Sequence, residues 1–213
     1  MTNQIKIFTI FILLACSNLS QAQLNKDNKQ LDRVFLTMYQ AIIDKDYDQT
    51  LDLLYPRIYD VISRDMMLSV VKSIYEGDEN VRMVIKDNIP EYHFSKLYKS
   101  EDKTTTYAFV NYDLEMSMVF KNEDYEDSEQ RKMIIATMQM AGYEAEFISN
   151  NELKVIQKNA IDIFIKDQYT NDQWKTFRYD PKSPLIKQLI SINILEDAKV
   201  YKEKLVKKSS QKQ

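Results

Sequence analysis

The apolar positions of the chain change period as one reads along it. Leu31, Val34, Phe35, Met38 and Ile42 recur at i, i+3, i+4, i+7 and i+11, one face of a helix running to about Asp44. Asp44-Lys45-Asp46-Tyr47-Asp48 interrupts it, a short helical turn through Leu51, Leu53 and Leu54 follows, and Pro56 disfavours helix at Tyr55. A third helix is predicted from Ser63, a suitable N-cap, with Met67, Val70, Val71 and Ile74 turned inward and Gly77 as its stop. The period then drops to two. Val81, Met83 and Ile85 alternate with polar residues. Ala108, Val110, Tyr112, Leu114, Met116, Met118 and Phe120 share one side of a long strand, with Asn111, Asp113, Glu115 and Ser117 on the other. Tyr92 to Tyr98 reads as a further strand or as a continuation of the preceding one past a kink at Pro90, closed by a turn at Ser100-Glu101-Asp102-Lys103.

A helical pattern returns over 128–141, with Met133, Ile134 and Met138 as its apolar set, acids ahead of it and Gly142 after it. Strands are predicted at Glu144–Ser149, Leu153–Gln157, Ala160–Lys166 and through Trp174, Phe177 and Tyr179. Ser183-Pro184 then opens a partly helical region from Leu185 to Leu205, followed by a disordered basic tail over 207–213. The order of elements gives an α+β fold in one domain spanning about 25–206, with antiparallel strands, N-terminal helices, an inserted helix near 128–141 and a C-terminal helix.

Residues 1–22 read as an export signal: Lys6, a short apolar run from Ile7 to Ala15, then Ser20-Gln21-Ala22 ahead of Gln23. The apolar run is far below the roughly 20 residues that span a bilayer, so no membrane segment is expected after cleavage between Ala22 and Gln23. Leu13-Leu14-Ala15-Cys16 offers the alternative of a lipobox, with Cys16 lipidated and the protein anchored in the envelope. Either route predicts export, to the periplasm or beyond. Cys16 is the single cysteine, so the folded domain has no disulfide and no thiolate chemistry.

Composition narrows the function classes. A formal charge of −3 supplies no excess of positive charge for a phosphate backbone, which argues against nucleic acid. Gly77 and Gly142 are the only glycines, which excludes glycine-rich phosphate loops. No cofactor or metal is expected: His93 is the sole histidine, and the acidic run Glu123 to Glu129 lacks the turn glycine and alternating acids of a calcium loop.

The Ile43-Asp44-Lys45-Asp46-Tyr47 break, Leu54-Tyr55-Pro56 after it and Trp174-Lys175-Thr176-Phe177 on a late strand resemble the nuclear transport factor two-like superfamily. That resemblance implies a cone: N-terminal helices packed on the concave face of a strongly curved antiparallel sheet. The chain is also similar to exported Bacteroidetes proteins of uncharacterised function. Enzymes of the superfamily, ketosteroid isomerases and dehydratases among them, work inside the cone with an Asp base and a charge-stabilising neighbour. None of their catalytic motifs maps onto this sequence.

Three residues carry the residual case for catalysis. His93 could be a general base beside Glu91, Asp162 a desolvated base within a strand, and Tyr112 a hydrogen-bond donor. For ligand binding the candidates are Tyr112, Met116, Met118 and Trp174, whose large adaptable side chains suit an apolar pocket as well as they suit a core. The preferred reading is a non-catalytic envelope protein that takes a small apolar ligand or a protein partner on the concave face, with catalysis left open. Its alternatives are a dehydratase-, isomerase- or hydrolase-type enzyme and a homodimeric interaction protein that pairs through its sheet.

Overall fold

A computed structural model describes residues 28–126 and 128–210. The leader, Cys16, the Ala22–Gln23 junction and the last three residues lie outside the described residues. The fold is α+β, with six helices and a seven-stranded antiparallel sheet among the described residues. The helices are α1 (28–43), α2 (Tyr47–Leu53), α3 (Arg64–Glu76), α4 (Ser128–Ala141), α5 (Pro184–Leu189) and α6 (Ile192–Ser210). The strands are β1 (Val81–Ile85), β2 (Tyr92–Phe94), β3 (Tyr98–Lys99), β4 (Thr106–Phe120), β5 (Glu144–Phe147), β6 (Glu152–Lys166) and β7 (Lys175–Arg178).

Local chemistry explains the breaks. Lys45 adopts a left-handed conformation (φ 56°), and Asp46 then caps α2 by accepting from the Gln49 N–H at 3.0 Å. Ser63 caps α3 through Met66 N–H, and Gly77 at φ 79° ends it. The sheet is built on two long strands. β4 and β6 pair from Thr106↔Lys166 to Val119↔Glu152. β1, β2 and β3 line up in succession along the free edge of β4, and β5 and β7 along that of β6.

Several expectations are corrected. The expected strand Tyr92 to Tyr98 is two short strands, β2 and β3. The two segments expected at 153–157 and 160–166 are one strand, kept continuous by an irregularity where Tyr112 and Leu114 face Ala160 and Gln157 and Asn159 turns to φ 49°. β5 stops at Phe147 rather than Ser149, and Trp174 lies just ahead of β7. Ser183 makes no side-chain cap, so Pro184 alone marks the first turn of α5. The C-terminal helical region breaks at Ile190, whose extended backbone places a buried side chain at the corner, and α6 then runs to Ser210, making residues 207–210 of the expected tail helical.

The sheet carries apolar side chains on both faces over its central part. Ala108, Val110, Tyr112, Ala160, Phe164 and Trp174 pack with Leu31, Phe35, Met38 and Tyr39 of α1. On the opposite face Phe109, Ile161, Ile163, Ile165 and Phe177 pack with Ile186 and Leu189 of α5 and Ile194 and Ala198 of α6. Full burial of each large side chain contributes roughly 1.5–3 kcal/mol, so these two layers, sharing the same strands, dominate stability. α3 is different. Val70 and Ile74, expected inward, are 47% and 41% exposed, and no residue of that helix is buried. Arg64 ties its start to Asp48 and Asp52 at 2.6 and 2.9 Å, and Tyr75 near its end stacks on Tyr47.

Candidate functional site

Strand register brings Asp162 and Arg178 together. The two are direct cross-strand partners on β6 and β7, on the face that packs against α1. Arg178 Nε lies 2.8 Å from Asp162 Oδ1, the Tyr112 hydroxyl donates to Asp162 Oδ2 at 2.7 Å, and Arg178 Nη2 donates to the Tyr112 oxygen at 2.6 Å. Asp162 and Tyr112 are 2% and 3% exposed, whereas the Arg178 side chain keeps 38% of its surface. Burial, above all, raises the Tyr112 hydroxyl well above its ordinary pKa; Arg178 opposes the shift and Asp162 adds to it. Tyr112 is therefore a protonated donor throughout the physiological range. Phe35 and Tyr39 hold its ring edge-on at 5.2 and 6.0 Å between centroids.

The sequence candidates fall in different places. Asp162 and Tyr112 meet, as the enzyme alternative requires. Both Asp162 oxygens are already committed, however, and no cavity described here opens onto the carboxylate. Each Asp162 oxygen has one partner in this arrangement, which fixes the carboxylate between Arg178 and Tyr112. His93 sits apart. Alternation on β2 sends Tyr92 and Phe94 into the α1 layer and His93 to the other side, where its imidazole is 66% exposed and 3.7 Å from Glu91. Trp174 is 4% exposed in the α1 layer, with Lys166 Nζ 5.0 Å from its ring centroid, and it lines no cavity described here. Met116 and Met118 are half-buried farther along β4, opposite Ile85 and Met83 of β1.

Beside that stretch of β1 lies a cavity of about 180 Å³. Ile42 and Ile43 at the end of α1, Tyr75 at the end of α3, and Met83 and Ile85 of β1 form its apolar wall. Lys45, Glu76, Arg82 and Asp87 complete it with two charges of each sign. Burial, first of all, raises the pKa of the Tyr75 hydroxyl; Arg178 lowers it and Asp162 raises it. Tyr39, pushed up to about 12 mainly by burial, feels the same two charges. A second cavity of about 260 Å³, at the corner between α5 and α6, is lined by Tyr179, Ile186, Ile190 and Leu195 on the opposite layer.

Arg178, Tyr39 and Tyr75 were not singled out by the sequence. A signal for Arg178 existed: a lone cation between the inward-facing Phe177 and Tyr179 must turn to the other face, which in a sheet covered on both sides is also packed. Among the described residues no group of three or more His, Cys, Asp or Glu side chains is placed to hold a metal ion, and no helix is long and apolar enough to cross a membrane. No protein-family model matches the chain, and no curated protein matches it.

Proposed function

We propose that the protein is an exported, non-catalytic binding protein of the cell envelope, with the cone-like architecture of the nuclear transport factor two-like superfamily. Its ligand is a small, largely apolar molecule seated between α1, α3 and β1. The observation that carries this reading is the cavity of about 180 Å³, walled by both apolar and charged side chains and charge-balanced overall, on the sheet face that α1 covers. Small-molecule sites set apolar walls beside polar groups at fixed positions, and this cavity supplies both kinds of side chain in comparable measure. Asp162 is not among the residues that line this cavity, which supports binding over catalysis there.

Native mass spectrometry of the protein purified from its own envelope tests this. The expected mass begins at Gln23 and carries a bound small molecule; a diacylated Cys16 would instead make the protein a lipoprotein. Ile85→Trp, which fills the cavity, is expected to strip the ligand while leaving the circular dichroism spectrum intact. A bare wild-type mass, or a ligand kept equally well by the Trp variant, overturns the proposal.

A further inference from the structure

The cavity of about 260 Å³ between α5 and α6 has no part in the site proposed above, and its lining is of a different kind. The extended backbone at Ile190 separates the two helices, and residues of both line the space left at the break. Tyr179, Ile186 and Ile190 are buried and form the floor. Ile192, the first residue of α6, lines the same space, yet 66% of its surface is exposed. An isoleucine at the edge of an apolar recess leaves water only when something enters, and that burial is favourable. Nine residues bound the cavity, against roughly 20–30 a side in a stable protein interface, so the space fits a small molecule rather than a second chain.

Charge decides what kind of molecule. Lys187 of α5 and Glu196 and Lys199 of α6 stand around the apolar floor, which leaves one positive charge in excess. All three are exposed, and none makes an ion pair among the described residues. The cavity between α1, α3 and β1 differs, because its two cations are matched by two acids. An apolar floor under a cationic mouth suits a ligand with a hydrocarbon body and one anionic end: the chain is buried while the charge stays hydrated at the rim, so no ion has to be desolvated. We propose that this corner binds the anion of a free medium-chain fatty acid, its chain against Tyr179, Ile186 and Ile190 and its carboxylate paired with Lys187 and Lys199. An exposed ion pair is worth little and is screened by salt, so the two lysines together favour the anion over a neutral head group by about five-fold.

The test uses three ligands with the same chain: octanoate, 1-octanol and octylammonium. Each is titrated into the purified protein at low salt while NMR follows the isoleucine methyls. Saturable shifts are expected at Ile186, Ile190 and Ile192, with octanoate bound about five-fold more tightly than octanol and octylammonium more weakly than either. Changing both Lys187→Gln and Lys199→Gln, two exposed positions, is expected to erase the advantage of octanoate and leave octanol binding unchanged. Ile192→Glu, which puts an acid at the mouth, should weaken octanoate more than octanol. Equal affinity for octanoate and octanol, or an advantage that survives the double variant, overturns the assignment of an anionic ligand. Attachment to phosphatidylglycerol vesicles without saturable octanoate binding overturns the free acid as the ligand. Shifts confined to Ile42 and Ile85 overturn the corner as a site and leave the cavity between α1, α3 and β1 standing.

Discussion

Asp162→Asn removes the charge that compensates Arg178 while keeping the shape of the side chain. Breaking a buried pair in this way costs about 3–5 kcal/mol when both partners are fully buried, and the partial exposure of Arg178 places the expected loss at roughly 2–3 kcal/mol. Tyr112→Phe removes the donor to Asp162 and the acceptor of Arg178 Nη2 and is expected to cost about 1–2 kcal/mol. Urea unfolding of both variants checks the order; a Tyr112→Phe protein less stable than Asp162→Asn would contradict the charge argument. Tyrosine also sets the alkaline limit. Tyr39, Tyr92 and Tyr201 are pushed up to about 12, each mainly by burial and Tyr92 also by its hydrogen bond to Asp32. An unfolded chain releases these protons near pH 10, so between about 10 and 12 the folded state binds more protons than the unfolded one and stability falls as pH rises. Below about pH 10 their contribution is fully present. Tyrosinate absorbance is expected to rise late and together with loss of near-ultraviolet circular dichroism; a full rise near pH 10 with the fold intact would refute it.

At the scale of elements, the two glycine stops should respond differently to the same change. A Cβ at Gly77, at φ 79° and ψ 173°, would meet the Val81 carbonyl oxygen at 2.4 Å and Arg82 Cβ at 2.5 Å. Gly142 at φ 95° has open space around that position. Gly77→Ala is therefore expected to cost about 2–3 kcal/mol and Gly142→Ala about 1 kcal/mol, the second reflecting backbone conformation alone. Thermal unfolding of the pair decides, and equal effects would show that the contact with β1 yields freely. α3, with no buried residue, is expected to exchange its amide hydrogens faster than α1, whose Leu31 and Phe35 are fully buried. Arg64→Ala should speed exchange in α3 while leaving global stability nearly unchanged, because its ion pairs with Asp48 and Asp52 are exposed.

Across the whole molecule, both core layers hang on the same two strands. Phe164 faces α1 and its neighbour Ile163 faces α5 and α6, so loosening either layer disturbs β6 and its pairing with β4. Phe164→Ala and Ile163→Ala are expected to lower stability by about 3–5 and 2–5 kcal/mol, with one cooperative urea transition and an unchanged slope in both. Two separated transitions in either variant would show that the layers fold independently.

Periodicity carried the sequence a long way. The 3.6-residue spacing of Leu31, Val34, Phe35, Met38 and Ile42, the alternation from Ala108 to Phe120, and the stops at Gly77 and Gly142 are local properties, so α1, β4, α3 and α4 were legible without a fold. The continuity of β6 was less so, because Lys158-Asn159 reads as a break unless β4 lies alongside to hold the irregularity. The inward set of α3 misled because an apolar stripe promises burial only when something covers it, and Val70 and Ile74 stay exposed. Asp162 was recognisable as an acid within a strand and Tyr112 as a candidate donor, but Arg178 is sixteen positions from Asp162 and becomes its partner only through the β6–β7 register. Tyr75 joins the cavity only because α3 returns across β1. The sequence alone determined which elements form and where they stop. Their pairing, the neutralisation of Asp162 and the cavity beside Tyr75 were decided by tertiary structure, since side chains far apart along the chain meet only after strand register and helix packing have brought them into contact.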